Sequence, residues 1–292
     1  MEVLKKCPVC DGEKQTEFLV CKDYLVSQKN FSIAQCSLCA FKFTNPRPKQ
    51  EDLWKYYKSE DYVSHSNTKK GIINFLYQLV RKHTLKNKLK LINSFAHKGK
   101  LLDIGCGTGE FLNTCKTGGW ETQGIEPDED ARTWAKSNYN LKIEDQDYLQ
   151  KLPPKSYDII TMWHVLEHVP NLNERIQEIR NLLKENGVAV IAVPNSSSAD
   201  ADYYGKFWAA YDVPRHLYHF SEKSIVSIFE KHKMTCTKIL PMKFDAFYVS
   251  LLSEKNKTGK SNLIKGFFNG FSSNLSNIKH GYSSQIYIFK KT

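Results

Sequence analysis

From residue 100 to residue 193, short apolar runs alternate with amphipathic stretches. Lys100–Ile104, Glu121–Glu126, Lys142–Asp145, Tyr157–Trp163 and Val188–Val193 read as strands. Between them Phe111–Thr117, Asp130–Asn138 and Asn173–Asn186 carry helical spacing, and Gly187 stands where a helix C-cap glycine belongs. Such alternation predicts a parallel sheet with right-handed crossovers, an α/β doubly wound fold. Ser221 followed by Glu222 opens a well-capped helix running to Lys233, and Thr235–Leu240 and Gln285–Phe289 read as the last two strands. Upstream, Glu51–Tyr57 and Ile72–Ala96 read as helices. The longer one has Leu85, Leu89, Ile92 and Ala96 on one face and a basic opposite face read as solvated. Nearer the N-terminus, Glu17–Cys21, Phe31–Gln35 and Phe41–Thr44 predict a small three-stranded unit ended by Pro46 and Pro48. Ser253–Asn262 reads as a polar linker. Leu263–Phe271 is apolar and basic; it could cover a site, touch a membrane or pack, and packing is the default.

The first strand ends in a glycine loop, Asp103–Ile104–Gly105–Cys106–Gly107–Thr108–Gly109–Glu110, and then a helix begins. Glycines let backbone approach a ligand closely, and the N–H groups at the helix start face the same ligand. The spacing G-x-G-x-G differs from the G-x-G-x-x-G of dinucleotide binders. Glu126, at the end of the second strand and about 20 residues beyond the loop, stands where a carboxylate can accept both ribose hydroxyls.

On LLDIGCGTG and GIEPD, the chain resembles the class I S-adenosylmethionine (SAM) dependent methyltransferases over residues 100–245. The resemblance implies a Rossmann-like doubly wound sheet of seven strands with the last strand antiparallel, and SAM as cofactor. It implies that Asp103, Gly105, Cys106, Gly107 and Gly109 line the methionine and sugar side, and that Glu126 with Pro127 holds the ribose. Within Glu144–Asp145–Gln146–Asp147, Gln146 and Asp147 would face the adenine. Trp163 and His164 would lie beside cofactor and substrate.

Cys7–Pro8–Val9–Cys10 and Cys36–Ser37–Leu38–Cys39 are two C-x-x-C knuckles, which together supply a tetrahedral four-cysteine zinc site. A structural zinc would fold a segment with too little apolar content for a core of its own. Cys39 to Pro48 resembles the zinc-ribbon leader of a bacterial group of methyltransferases acting on sugars and small metabolites, with Ala40 where those have glycine. Cys21, Cys106, Cys115 and Cys236 lack metal spacing and read as small buried apolar residues.

Two clusters carry candidate chemistry. His164–Val165–Leu166–Glu167–His168 follows a strand end, so its H-x-x-E-H spelling is no zinc-protease helix. It resembles the Glu-x-x-Glu-His stretch of quinone-type O-methyltransferases, where the acids and His hold a divalent metal; Glu167 and His168 read either as such a site or as a helix-start hydrogen-bond network. The second cluster, Tyr211 to Ser221, resembles the His-containing loop of sugar C-methyltransferases. His216 matches their general base, and Arg215 replaces an acid. A His base suits neutral pH. Tyr203, Tyr204, Phe207, Trp208 and Tyr211 read equally as a lid or as core packing.

Composition narrows the partners. The 292 residues carry a formal charge of +11, unevenly spread: residues 62–100 hold nine Lys or Arg and no acid, and residues 246–292 hold seven Lys and one Glu. A small-molecule methyl acceptor, reacting through oxygen or activated carbon, with sugar derivatives among the candidates, is the favoured partner; an RNA gripped by the basic flanks and a non-catalytic SAM-binding scaffold are the alternatives. No apolar run reaches the ~18 residues of a membrane span, and Met1 to Lys6 is no signal peptide. The reducing cytoplasm is therefore the default expectation, and the eight cysteines, four of them with zinc spacing, are not expected to form disulfides. The expected division is residues 1–48 as zinc ribbon, 49–98 as helical linker or cap, and 99–292 as the methyltransferase domain with 246–284 inserted before the last strand.

Overall fold

A computed structural model describes residues 1–57, 72–95, 97–260, 262–276 and 280–292, with the backbone alone over 72–79. Ala96 therefore lies outside the described residues.

A seven-stranded sheet forms the centre. Its parallel part comprises β4 (Lys100–Ile104), β5 (Glu121–Ile125), β6 (Ile143–Glu144), β7 (Tyr157–Trp163) and β8 (Leu183–Pro194). With β10 (Met234–Pro241) and β11 (Ser284–Lys291) the order is β10-β11-β8-β7-β4-β5-β6. β11 runs antiparallel to both of its neighbours, so the expected antiparallel last strand is present. The central strands are buried on both faces: in β8 every residue from Gly187 to Pro194 is inside. That two-sided burial explains why they read as continuous apolar runs and not as alternating ones.

The crossovers are α2 (Glu110–Thr117), α3 (Glu129–Tyr139) and α4 (Leu172–Leu182). α4 stops four residues earlier than its sequence pattern suggests, so Gly187 is not a helix cap. The chain enters β8 at Leu183, and Lys184–Gly187 bulge out where the β7–β8 register jumps. A Cβ on Gly187 would sit 2.9 Å from the Tyr157 carbonyl oxygen, so the residue is glycine for close approach. Ahead of β4 stands α1 (Ile72–Asn93), whose Leu85, Leu89 and Ile92 pack with Phe111, Leu112 and Trp120. The helix expected over Glu51–Tyr57 is a 3₁₀ helix over Gln50–Tyr56.

The N-terminal sheet holds the three expected strands, β1 (Gln15–Lys22), β2 (Asn30–Cys36) and β3 (Lys42–Thr44), and a fourth from far along the chain. β9 (Tyr218–His219) pairs antiparallel with β3. One apolar cluster accordingly runs from Val9, Phe41 and Phe43 through Leu217 and Phe220 to Ile160 in the central sheet. Cys21, Phe31 and Ile33 pack with Tyr204, Trp208 and Tyr211, which resolves those three aromatics as core; Tyr203 is exposed. α6 (Glu222–Lys231) follows β9 with the expected Ser221 cap, closed reciprocally by Ser224.

Between β10 and β11 stand two helices, α7 (Asp245–Thr258) and α8 (Leu263–Leu275); the short α5 (Ala199–Tyr204) packs against both. Most of the expected polar linker 253–262 is thus the last turns of α7. Its Ser253 hydroxyl accepts from the Ala209 N–H and donates to the Val249 carbonyl, so Ser253 is buried and satisfied, while Lys255, Lys257 and Lys260 are exposed. The default reading of Leu263–Phe271 as core also fails: Leu263, Ile264, Phe267, Phe268 and Phe271 are all exposed.

Candidate functional site

The C-terminal ends of β4, β5 and β7 meet at the glycine loop, the edge at which open parallel sheets take ligands. Gly105, Gly107 and Gly109 all have positive φ, a region costly for other residues. A Cβ on Gly105 would strike Val165, and one on Gly109 would strike Leu141. One on Gly107 would meet nothing, so the loop's middle faces open space. Glu126 is buried, and its carboxylate accepts from the Gly107 and Asp128 N–H groups at 2.8 and 3.0 Å. Burial pushes its pKa up despite these bonds. Asp103 accepts from the Thr161 hydroxyl, and burial raises it to about 7. A glycine loop facing open space, with a carboxylate already bonded to its backbone, fits a ribose-bearing cofactor.

The other expected cofactor residues fall around this edge. Gln146 and Asp147 are exposed at the start of the 3₁₀ turn Gln146–Lys151, and Pro127 is exposed just beyond β5. Cys106 is in the loop, but its sulfur points inward against Gly124. Trp163 packs edge-on against Phe111, and its indole N–H is buried with no protein partner. Over its face, at 3.9 Å, lies the Lys88 ammonium, whose pKa burial lowers to about 8. The basic face of α1 is therefore not uniformly solvated. Lys86 and Lys90 are exposed, whereas Lys88 reaches into the site and Arg81 pairs with Glu110 at 2.5 Å. The signal was present: positions 81, 85, 88, 89 and 92 form one helical stripe.

His164 has φ +56 and turns the chain sharply after β7. Its Nε2 lies 2.8 Å from Asp245 at the start of α7, and its Nδ1 lies 3.5 Å from Glu167. Burial alone would lower its pKa, but these two carboxylates raise it to about 10. Asp245 carries no motif and comes from far along the chain, so nothing in the sequence marks it.

Glu167, His168 and His216 converge, with one ligand atom from each within 4.8 Å of the others. Glu167 is fully buried, and neither carboxylate oxygen has a hydrogen-bond partner. The surrounding imidazoles hold its pKa below the usual range against burial. His168 Nδ1 is engaged by the Tyr57 hydroxyl at 2.9 Å and the Arg215 carbonyl at 3.2 Å. Burial and the neighbouring His216 lower His168 to about 4. His216 Nδ1 sits 2.8 Å from the Ala210 carbonyl oxygen, which fixes that nitrogen as the donor and leaves Nε2 as an acceptor. Such a cluster can accept a proton or hold a divalent cation.

The N-terminal sheet braces this cluster. Thr44 donates from its hydroxyl to the His216 carbonyl, its N–H donates to the Leu217 carbonyl, and the Leu217 N–H donates to the Glu167 carbonyl. Arg215, buried, bonds Asp212 and Asp23, so it joins the His216 loop to the ribbon and does not point at a substrate.

The sulfurs of Cys7, Cys10, Cys36 and Cys39 lie within 4.8 Å of one another, with Cys7–Cys39 and Cys10–Cys36 at 3.5 Å. Tetrahedral zinc with ~2.3 Å bonds puts sulfurs ~3.8 Å apart, so the donor set fits. Backbone N–H groups of Val9 and Cys10 point at Cys7 sulfur, and those of Leu38 and Cys39 at Cys36 sulfur. Ala40 has φ +60, which explains why related leaders carry glycine there.

The strand order, the lone antiparallel strand and the glycine loop with its acid define a Rossmann-like methyltransferase fold. A protein-family model described as a methyltransferase domain matches residues 77–238, more than half of the chain, and the chain belongs to that family. It is 38% identical over 110 residues to the ubiquinone biosynthesis O-methyltransferase of Glaesserella parasuis serovar 5, spanning 34% of this chain and 47% of that one. With the enzyme of that name from Rickettsia typhi it shares 28% over 183 residues, 58% of this chain and 72% of the relative. The chain thus spans less than half of the first relative's length. Among solved structures, a SAM-dependent methyltransferase from Archaeoglobus fulgidus superposes with a TM-score of 0.52 at 25% identity, over 74% of this chain and 99% of the other. No helix among the described residues is long and apolar enough to cross a membrane.

Proposed function

We propose that this chain transfers a methyl group from SAM to an oxygen of a small-molecule acceptor. SAM supplies an electrophilic methyl on a sulfonium when bound; the protein aligns the acceptor and takes its proton. The glycine loop from Gly105 to Gly109 and the Glu126 carboxylate hold the cofactor, with Asp103 and Trp163 beside it. His216 is the base. Its Nδ1 is committed to the Ala210 carbonyl, and its Nε2 receives the hydroxyl proton. His168 and Glu167 complete the same cluster. The observation that carries this reading is the packing of Val165 directly on Gly105, which sets the Glu167–His168–His216 cluster against the cofactor loop. The O-methyltransferase relatives support oxygen as the methylated atom.

A structural zinc on Cys7, Cys10, Cys36 and Cys39 completes the reading. None of the eight cysteines is in a disulfide, which fits a reducing cytoplasm. A second use of the cluster has its own support: the Glu167 carboxylate is buried without a hydrogen-bond donor, as a cation ligand would be. The test is transfer of labelled methyl from SAM to a panel of hydroxylated small molecules, phenols and sugars included, before and after chelation. Label in no acceptor, with SAM bound, would overturn the catalytic reading. Loss of activity on mild chelation that spares the zinc would assign the cluster to a cation.

A further inference from the structure

The helix α8 is inside out for a protein helix in water. Leu263, Ile264, Phe267, Phe268, Phe271 and Leu275 are each at least half exposed. At about 100° per residue they share one face about 140° wide. The opposite face is small or polar and is buried. Gly266 and Gly270 lie against α7 so closely that a Cβ would stand 2.9 Å from the Leu251 Cα and 2.8 Å from the Phe247 Cα. Ser273 donates to Asp200, and Asn269 donates to the Tyr204 hydroxyl and to Glu254. A surface helix of a soluble protein turns its apolar stripe inward. Here the polar groups are tied to the body of the protein, and the large apolar side chains are given to the surroundings. Close backbone packing through small residues is the way helices pair where the medium itself is apolar.

Charge identifies the medium. Lys255, Lys257, Lys260 and Lys265 are exposed around the hairpin, and among the described residues none of them is in an ion pair. α8 contains no acid. Two copies of this face would bring two such sets of lysines together, so a symmetric dimer is the poorer occupant. An exposed apolar face with unpaired lysines gathered at the turn end of its hairpin matches the headgroup region of an anionic bilayer, where such helices lie flat with the apolar face in the acyl boundary.

We propose that the α7–α8 hairpin docks this protein on an anionic lipid surface, with the α8 phenylalanines inserted and the lysines at the headgroups. Because α7 begins at Asp245, which pairs with His164, the docked hairpin is built onto the edge of the candidate site. The docking does not depend on the acceptor or on catalysis.

The experiment is flotation of the full zinc-loaded chain with vesicles of phosphatidylcholine alone and of phosphatidylcholine with phosphatidylglycerol in equal parts. The chain is expected to float with the anionic vesicles and to stay behind with the neutral ones. Phe267→Ser with Phe268→Ser, and separately Lys260→Glu with Lys265→Glu, should each lower anionic-vesicle affinity by about tenfold or more. Phe267 also stacks on Phe247, so Phe268→Ser alone is the apolar variant whose melting temperature should hold, as should that of the exposed lysine pair, and Phe268→Trp should shift its emission to the blue on anionic vesicles. Failure of the wild type to float with anionic vesicles overturns the proposal. So does flotation unaffected by the phenylalanine changes, which would leave a purely electrostatic contact elsewhere. A concentration-dependent dimer abolished by those same changes gives the face to a second copy instead.

Discussion

Among the described residues, metal-ligating residue types gather in two places, and the two are built in opposite ways. The four cysteines come as two knuckles, each bringing its pair together within a single turn whose backbone N–H groups point at the sulfurs. Glu167, His168 and His216 come from two segments separated by α4, β8, α5 and the following loop, and only tertiary packing unites them. The first cluster is coded by spacing and the second by the fold. The second also rests on the first. β3 leaves the Cys39 knuckle and pairs with β9, and Thr44 bonds the backbone of His216 itself. A metal on the cysteines would therefore act on catalysis at a distance, by fixing the strand against which the His216 loop is laid.

Removing a cysteine should give the largest effect. Structural zinc supplies about 10–16 kcal/mol of folding energy in small metal-folded units. Cys36→Ser should lose the zinc, unfold the N-terminal sheet and abolish methyl transfer together, as read by elemental analysis, circular dichroism and activity. The wild type should hold about one zinc per chain. A metal-free variant with its N-terminal sheet intact and full turnover would break the dependence of one cluster on the other.

His216→Ala runs the comparison in reverse. It should cost about 10²–10⁴ in kcat, the reach of a general base, while zinc content and SAM affinity stay as they were. His168→Ala is the partner measurement: a larger loss there would move the base to the neighbouring imidazole. If neither substitution lowers kcat, the acceptor carries no proton that must leave.

The same contrast explains what was legible in the sequence. The central sheet was, because strands buried on both faces leave apolar runs and the glycine loop is local. So was the cysteine cluster, because its chemistry is written in pairs three residues apart. Gly187 misled because a bulge glycine and a cap glycine look alike in sequence. Lys88 was hidden among eight other bases in residues 62–100, although its stripe with Leu85, Leu89 and Ile92 marks it as inward-facing. β9 was not legible at all. Two residues make the strand, and their partner lies in the N-terminal ribbon. α8 departs from its pattern for a physical reason: its glycines and hydrogen-bonding residues face the core, and its large apolar residues do not.

The cofactor edge offers a middle-sized test. Glu126→Ala should weaken SAM by about 1.5–3 kcal/mol in calorimetry, the range for hydrogen bonds to a charged group. Charge reversal separates the lysines of α1. Lys86→Glu and Lys90→Glu, on exposed positions, should leave SAM affinity and turnover intact, whereas Lys88→Glu should impair both because its ammonium covers Trp163. Equal effects at all three positions would return Lys88 to the surface.

The smallest effect concerns His164, the residue that joins the two-histidine cluster to the hairpin. Its pKa is raised to about 10 in the folded chain, against about 6.5 when unfolded. A raised base contributes stability that is fully present below about pH 6.5 and is lost as pH climbs through about 10. Asp245, its partner, is held below its ordinary value, so its own contribution is present from about pH 4 upward and lost in acid. The pair is therefore at full strength between about pH 4 and pH 6.5. Both side chains are partly exposed, which screens the pair to about 0.2–1 kcal/mol. Urea unfolding of the wild type and of Asp245→Asn should show a gap of that size near pH 6 that narrows toward pH 10. A gap that stays constant over the whole range would mean that His164 is neutral in the folded chain. Glu167 would then have no fixed positive charge beside it, and its buried carboxylate would need a cation of another kind.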